Sequence, residues 1–145
     1  MKKVLVGMSG GLDSAFTAYI LKKQGMHVSG LFLHIAGEED PVKEQKVHDL
    51  CRILDLPLSL EDCSETFSRA VIKPFLDSYL EGRTPNPCVI CNAEIKFQLL
   101  FEHADKTDFD LVATGHYAKI SGSPGAPFYI CRGDDFRKDQ SYMLY

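Results

Sequence analysis

Residues 9–14 read SGGLDS and directly follow the five-residue apolar run VLVGM. The two glycines allow backbone conformations that other residues avoid, and they let a ligand come close to the main chain. The N–H groups of such a turn and of a following helix point at one spot, where the helix dipole adds positive potential. The pattern therefore predicts a strand, a loop and a helix that together bind an anion.

Asp13 makes this anion site unusual. A carboxylate beside a bound phosphate is repelled unless a cation lies between them, and Mg²⁺ binds carboxylate and phosphate oxygens together. We therefore interpret the loop as a site for the Mg²⁺-bound pyrophosphate of a nucleotide. The alternative is an ordinary helix N-cap, where Ser and Asp are common. The loop is not a Walker loop, since no lysine follows Gly11 until Lys22, and it lacks the GxGxxG dinucleotide fingerprint.

Strand and helix signals alternate along the chain. Apolar runs predict strands, and apolar residues at helical spacing predict helices. The strands are expected at residues 3–8, 28–34, 58–60 and 111–114, and the helices at residues 14–24, 41–54, 64–80 (broken near Pro74) and 92–104. This alternation predicts an α/β fold with a doubly wound parallel sheet. Residues 117–120 and 128–131 flank a turn rich in Gly, Ser and Pro, and they predict a C-terminal β-hairpin extension.

Ligands of open parallel sheets bind at the carboxyl ends of the strands. Three sequence features are predicted to meet at that edge. They are the glycine-rich loop after the first strand, Leu33 and His34 at the end of the second, and Gly115 and His116 after the fourth. We expect all three to form one ligand site.

Length and composition limit the classes of protein to which this chain can belong. The 145 residues suffice for one domain with a substantial core, and no apolar run approaches the roughly 20 residues of a membrane span. We therefore expect a cytoplasmic protein without a membrane partner. Its five cysteines are then thiols, metal ligands or redox catalysts rather than disulfides. The net charge is −4, whereas a dedicated nucleic-acid binder typically carries an excess of basic residues. We therefore expect any RNA contact to be local or to depend on further segments.

Cys88 and Cys91 form a Cys-x-x-Cys pair in a loop that also contains Pro85 and Pro87. A helix is expected to begin at Cys91 or Asn92, and its dipole would lower the pKa of the Cys91 thiol. Such a pair can react as a nucleophile, ligate an iron–sulfur cluster, form half of a zinc site or be two buried thiols. The sequence favours a reactive or cluster-ligating pair, because it contains no second Cys-x-x-Cys or His-x-x-x-His to complete a zinc site.

The glycine-rich loop resembles the PP-loop of ATP pyrophosphatases, and nearly the whole chain is similar to the N-terminal domain of tRNA-specific 2-thiouridylases. The motifs that carry this resemblance are GMSGGLDS (7–14), GRTPNP (82–87), CN (91–92), EIKF (94–97), ATGHYA (113–118) and KDQSY (138–142). An amide-forming ligase of the PP-loop class does not require the PNPxxxCN loop. Methyl transfer is disfavoured because no glycine-rich methyl-donor loop is present.

The resemblance implies an enzyme that adenylates the C2 carbonyl of the wobble uridine of tRNA with ATP, releasing pyrophosphate. Sulfur then comes from a cysteine persulfide that a donor protein supplies. Carried over by position, the ATP-binding residues are Gly7, Met8, Ser9, Gly10, Gly11, Leu12, Asp13, Ser14, Leu33 and Gly115. The catalytic residues are Cys91, as the first catalytic cysteine, and Asp13. The residues that meet the target base or the tRNA are Asn86, Pro87, Cys88, Lys138, Asp139 and Gln140.

Two departures from the family add further expectations. Many members carry aspartate where this chain has Cys88, and the resulting pair with Cys91 resembles related thiolases that hold a [4Fe-4S] cluster with a third cysteine. The family's second catalytic cysteine and its RNA-binding domains lie beyond residue 145. We therefore expect residues 1–116 to be the PP-loop nucleotide-binding domain, and residues 117–145 to be a hairpin and the start of a linker helix. The alternative function is an ATP-binding module without turnover of its own.

Overall fold

The computed structural model describes residues 1–35 and 41–144. The acidic sequence GEED at residues 37–40, which predicts a loop, lies outside the described residues. Its main sheet contains four parallel strands in the order β3-β2-β1-β4. The strands are β1 (Lys3–Gly7), β2 (His27–His34), β3 (Leu58–Asp62) and β4 (Leu111–Ala113). The predicted α/β fold with a parallel sheet is therefore confirmed.

Two helices and two longer helical segments connect the strands. The helices are α1 (Leu12–Lys23) and α2 (Pro41–Ile53). The first long segment consists of α3 (Ser64–Phe67), a π-helical turn (Ser68–Ile72) and α4 (Lys73–Leu80). The second consists of α5 (Pro87–Ile90), a π-helical segment (Cys91–Phe97) and α6 (Gln98–Lys106). The helix break predicted near Pro74 takes the form of the π turn just before it.

Helices cover both faces of the sheet because successive side chains of a strand point to opposite sides. On one face, Val6 of β1 packs in a cluster with Ala18 of α1 and Val47 of α2. On the other face, Leu5 packs with Leu100 of α6. The side chains of these five residues are almost fully buried, and burying each valine or leucine contributes roughly 1.5–3 kcal/mol.

A third apolar cluster lies between the two long helical segments. It contains Cys63, which follows β3, with Val71, Cys91 and Ile95. All four are buried. This cluster draws Cys91 into the interior of the protein.

The second helical segment begins earlier than the sequence predicts. Its first residue is Pro87, and Asn86 occupies the N-cap position. Proline is favoured at a first helical position because the N–H it lacks has no intrahelical acceptor there and its φ already suits a helix. The prediction that the helix begins at Cys91 or Asn92 is therefore wrong, and Cys88 lies in the first turn.

The C-terminal part contains the predicted hairpin, with β5 (Lys119–Ser121) antiparallel to β6 (Tyr129–Cys131). A lone two-stranded ribbon is marginally stable, so its attachments matter. The Gln140 side chain accepts a hydrogen bond from the Tyr117 N–H at 2.8 Å, and its own backbone N–H donates to the Tyr117 carbonyl at 2.9 Å. A 3-10 turn (Ser141–Met143) follows. Within the described residues, no helix is long and apolar enough to cross a membrane.

Candidate functional site

A cavity of about 320 Å³ opens at the carboxyl edge of the sheet, within the size range of small-molecule sites. The loop after β1, the end of β2 and the segment after β4 all contribute to its walls, as the sequence predicts. The residues that line it are Gly7, Met8, Ser9, Gly11, Asp13, Ser14, Leu31, Phe32, Leu33, Ile35, Lys43, Lys96, Leu100, Thr114, Gly115, His116 and Gln140.

Hydroxyl groups close the glycine-rich loop on itself. The Ser14 hydroxyl donates to the Gly11 carbonyl at 3.1 Å and accepts from the Ser9 N–H at 3.2 Å. The Ser9 hydroxyl oxygen lies 3.2 Å from that of Ser14 and accepts from the Gly11 N–H at 3.3 Å. Ser14 is buried. These bonds fix the curvature of the loop before any ligand arrives.

Gly10 is the loop position that must be glycine. Its φ of +76° lies in the left-handed region, which strains other residues. A Cβ there would also stand 3.4 Å from both the Lys43 carbonyl oxygen and the Val47 side chain. The loop is thus packed closely between the end of β1 and helix α2.

The first turn of α1 faces the cavity. Gly11 is its N-cap residue, and the Ala15 N–H donates to the Gly11 carbonyl at 3.3 Å. Helix geometry leaves the N–H groups before Ala15 without intrahelical acceptors, and the dipole makes this end positive. The exposed Asp13 side chain lies at the same place and lines the cavity. An anion here would meet backbone donors, with one carboxylate beside it.

Gly115 joins the segment after β4 to this helix start. A Cβ on Gly115 would stand 2.6 Å from the carbonyl carbon of Asp13 and 2.8 Å from the Cα of Ser14. Backbone atoms cannot move aside as a flexible side chain can, so only glycine fits. The close contact makes the β1–α1 loop and the end of β4 one continuous wall.

A lysine and a histidine form a further part of the cavity wall. Lys96 is half-buried and belongs to the π-helical segment. The Thr114 hydroxyl lies 2.9 Å from the His116 Nδ1 atom, and the His116 ring packs against the Phe97 ring. Burial lowers the pKa of the His116 imidazole, and the Lys96 charge lowers that pKa further. At neutral pH this wall therefore presents a neutral imidazole near an ammonium group.

The two cysteines of the Cys-x-x-Cys pair lie in different environments. Cys88 is exposed, whereas Cys91 is buried, with 8 % of its surface accessible. Burial raises the pKa of the Cys91 thiol, and the Lys96 charge opposes that rise. The expected lowering of this pKa by a helix N-terminus is therefore wrong, because the first helical turn lies at Pro87.

A metal cluster does not fit the described cysteines. Among residues 1–35 and 41–144, no group of three or more His, Cys, Asp or Glu side chains could hold a metal ion. A [4Fe-4S] cluster needs thiolate ligands beyond Cys88 and Cys91. Cys63 packs in the same cluster as Cys91, but its thiol donates to the His34 carbonyl at 2.9 Å and it forms no such group with the pair. Mg²⁺ differs, because it uses one or two carboxylates together with phosphate oxygens and water. Asp13 supplies one such carboxylate at the cavity.

A sequence model of one family matches almost the whole chain. Residues 2–145 match the family described as tRNA methyl transferase HUP domain. The chain belongs to this family. The description of this family names methyl transfer, whereas the curated relatives of this chain carry a different name.

Those relatives are tRNA-specific 2-thiouridylases, which confirms the resemblance found in the sequence. The protein of Clostridium botulinum is 44% identical over 155 residues, which cover 99% of this chain and 43% of the relative. The Hydrogenovibrio crunogenus protein is 45% identical over 150 residues, with 99% and 40% covered. The Herpetosiphon aurantiacus protein is 39% identical over 155 residues, with 100% and 43% covered. The chain thus spans less than half the length of these relatives.

Solved structures share the fold at low sequence identity. A predicted subunit of tRNA methyltransferase from Methanocaldococcus jannaschii aligns with a TM-score of 0.59 at 17% identity, covering 79% of this chain and 53% of that one. An NH3-dependent NAD synthetase from Campylobacter jejuni aligns with a TM-score of 0.50 at 20% identity, covering 75% and 45%. At these identities the likeness shows the fold alone.

The structure brings most of the predicted ATP-binding residues of this family member into one place. Eight of the ten line the cavity, and only Gly10 and Leu12 do not. Gly10 lies on the side of the loop that faces Lys43 and Val47 of α2, and Leu12 is largely exposed. Cys91, Asn86, Pro87 and Cys88 lie outside the cavity lining.

The three residues predicted to contact tRNA differ in their surroundings. Lys138 is exposed. The Asp139 carboxylate accepts hydrogen bonds from the Gly133 N–H at 2.8 Å and from the Ser141 hydroxyl at 2.7 Å. Gln140 is tied to Tyr117 and lines the cavity. A role in tRNA binding stays a prediction for all three.

Sequence reasoning did not place several residues in the cavity. Lys43 and Lys96, for which the sequence alone indicates no site, both line it. Ile35 and Thr114 also do. The position of Thr114 directly before Gly115 was a usable signal. The lysines come from distant helices, so no local pattern marks them.

Proposed function

We propose that this chain is the nucleotide-binding and adenylating part of an ATP-dependent tRNA 2-thiouridylase. One observation carries the proposal. A loop closed by its own hydroxyl groups, the positive end of α1 and the close contact at Gly115 meet at one cavity on the carboxyl edge of a parallel sheet. This is where such folds bind nucleotides. Similarity to tRNA-specific 2-thiouridylases supports the class of reaction.

The nucleotide would bind with its pyrophosphate at the loop and its adenosine against the two neighbouring strand ends. The free N–H groups at the start of α1 suit the β- and γ-phosphates. Asp13 would hold Mg²⁺, which neutralises the leaving pyrophosphate when bound. Leu33 and Gly115, on either side of the loop, would flank the adenosine.

In the proposed reaction, the C2 oxygen of the wobble uridine attacks the α-phosphorus of ATP. A new oxygen–phosphorus bond forms, and the bond to the β-phosphate breaks with release of pyrophosphate. A persulfide from a donor protein, carried on Cys91, then attacks C2. The carbon–sulfur bond forms as the carbon–oxygen bond breaks, and AMP leaves with the C2 oxygen. The thiolate of the family's second catalytic cysteine would then attack the Cys91 sulfur, so that the sulfur–sulfur bond breaks, a disulfide forms between the two cysteines and the transferred sulfur stays on C2. Adenylation matters because a carbonyl oxygen is a poor leaving group.

Cys91 cannot take up sulfur while it stays as buried as it is in this structure. We infer that binding of tRNA or of the donor protein exposes its thiol. Asn86 at the N-cap of α5, with Pro87 and Cys88 in its first turn, would meet the target base, since this helix leads directly to Cys91. Lys138, Asp139 and Gln140 would contribute to tRNA binding. A cytoplasmic location belongs to the same proposal.

An alternative is that residues 1–145 bind ATP without turnover. The burial of Cys91 and the short span relative to the 2-thiouridylases favour this alternative for the isolated chain. In that case residues 1–116 would form the nucleotide-binding domain, and residues 117–145 would lead to further domains.

Two assays test the proposal on this chain and on the full-length gene product. The first measures ATP binding by calorimetry and pyrophosphate release with and without tRNA. The second measures 2-thiouridine in digested tRNA by mass spectrometry. We expect Cys91→Ser to abolish thiolation and to preserve ATP binding, while Cys131→Ser on the hairpin preserves both. Absence of ATP binding would refute the proposal, and binding without pyrophosphate release in either protein would favour the alternative.

A further inference from the structure

The glycine-rich loop carries no lysine, so a cation for the phosphates must come from elsewhere in the fold. Lys96, on the π-helical segment Cys91–Phe97, lines the same cavity. Its side chain forms no ion pair or hydrogen bond with any residue of the ranges 1–35 and 41–144. A half-buried ammonium group without an anionic partner suits an anionic ligand.

The π-helical segment Cys91–Phe97 sets the direction of Lys96. In an α-helix, residues five positions apart differ by one full turn and about 140°. A π turn is closed by i→i+5 hydrogen bonds, so residues five apart lie on nearly the same side. The wider turn therefore presents Lys96 on the side of Cys91 rather than away from it. Such turns occur frequently at functional sites.

The charge of Lys96 acts both on a group at the cavity and on the thiol of Cys91. It lowers the pKa of the His116 imidazole, which follows Gly115 at the cavity, and it opposes the rise in the pKa of the Cys91 thiol. Lys96 therefore lines the cavity and also acts electrostatically on the Cys91 thiol. A second lysine of the cavity lining, Lys43, belongs to α2 and lies next to Gly10 of the glycine-rich loop.

We infer that Lys96 binds the α-phosphate of the nucleotide, the phosphate that remains on the substrate after pyrophosphate leaves. This inference rests on the proposed function. Cys91 would deliver sulfur to the carbon that carries the AMP group, so the α-phosphate is the nucleotide group that must lie nearest to Cys91. In the proposed binding mode, the N–H groups at the start of α1 bind the β- and γ-phosphates. A fixed ammonium group at the α-phosphate stabilises the negative charge that develops there during adenylation.

Binding of four ligands to this chain tests the assignment: adenosine, AMP, ATP and pyrophosphate, each measured by competition with a fluorescent ATP analogue. The variants are Lys96→Met, Lys96→Arg and, as a matched control, Lys106→Met. Lys106 lies on α6, outside the cavity lining, and pairs with Glu102. We expect Lys96→Met to weaken AMP binding about tenfold or more, as for loss of one charge-assisted contact. Adenosine and pyrophosphate binding should stay unchanged, Lys96→Arg should retain most of the AMP affinity, and Lys106→Met should match the wild type.

Three results would overturn the inference. Equal losses for adenosine and AMP would mean that Lys96 only shapes the cavity. A loss confined to pyrophosphate would place Lys96 at the glycine-rich loop. Unchanged AMP binding in Lys96→Met would show that no contact exists, while leaving the proposed function intact. If the wild-type chain binds none of the nucleotides, the proposed function fails and this inference fails with it. Thermal unfolding of each variant shows that the comparison is made on folded protein.

Discussion

Gly115 lies so close to the backbone of Ser14 that a Cβ on it would stand 2.5 Å from the Ser14 nitrogen atom. The two residues are 101 positions apart in the chain, yet their contact joins the end of β4 to the start of α1. The glycine-rich loop and the segment after β4 are therefore fixed relative to each other by contact between backbone atoms.

We expect Gly115→Ala to disrupt both stability and nucleotide binding. The added methyl group must push the α1 backbone aside, and overpacking of this kind costs about 1–3 kcal/mol. Urea unfolding and ATP calorimetry measure the two effects. Gly7→Ala is the stability control, because its Cβ would meet neighbours only at ordinary distances of 3.8–3.9 Å. Equal stability of the two variants would contradict the close contact.

Ser14→Ala should loosen the glycine-rich loop. The variant removes the acceptor of the Ser9 N–H and the donor to the Gly11 carbonyl, both in a buried position. The expected loss in free energy of unfolding is about 1–2 kcal/mol, with weaker ATP binding. Thr17→Ala is the control, because its hydroxyl only donates to the Asp13 carbonyl on the exposed side of the same helix. Its stability should change by less than about 0.5 kcal/mol.

The cysteines should react with iodoacetamide in the order of their exposure. Cys88 is exposed and Cys131 is partly exposed, whereas Cys51, Cys63 and Cys91 are buried. Alkylation followed by peptide mass spectrometry should therefore modify Cys88 first and Cys131 second. The three buried thiols should react at rates limited by opening of the fold, and all five should react together in urea. Rapid modification of Cys91 in the folded chain would contradict its burial.

Stability should fall at alkaline pH. Burial raises the pKa of the Cys63 thiol to about 11 from a model-compound value of 9.0, and the nearby Asp62 charge adds to the rise. The unfolded chain therefore loses this proton first, and the stabilisation present below pH 9 disappears as the pH rises towards about 11. The loss from this thiol is roughly 1–3 kcal/mol.

Urea unfolding between pH 8 and 11 measures this effect. Cys63→Ala should flatten the dependence, and Cys131→Ala should leave it unchanged. The pKa values of the Cys51 and Cys91 thiols are also raised by burial, so some slope should remain in Cys63→Ala. An identical slope in Cys63→Ala and the wild type would contradict the assignment.

Much of the fold could be predicted because its signals are local. Apolar runs gave all four parallel strands, and the Gly/Ser/Pro turn gave the hairpin. Helix boundaries were harder to predict. Proline is compatible both with an extended loop and with a first helical turn, and the packing of the residues after Pro87 decides between the two. The π-helical widening at Cys91–Phe97 leaves no mark in apolar periodicity, so the orientation of Lys96 was not predictable.

The sequence by itself determined the glycine-rich loop, the alternation of strands and helices, and the edge of the sheet at which the site lies, because turn conformation and burial pattern follow from neighbouring residues. Only the tertiary structure decided the rest. It buried Cys91 among Cys63, Val71 and Ile95, and it brought Lys96 to the cavity that the glycine-rich loop also lines. Burial and electrostatic neighbours come from elements distant in the chain, so the pKa of a thiol and the partner of a phosphate are properties of the packed fold.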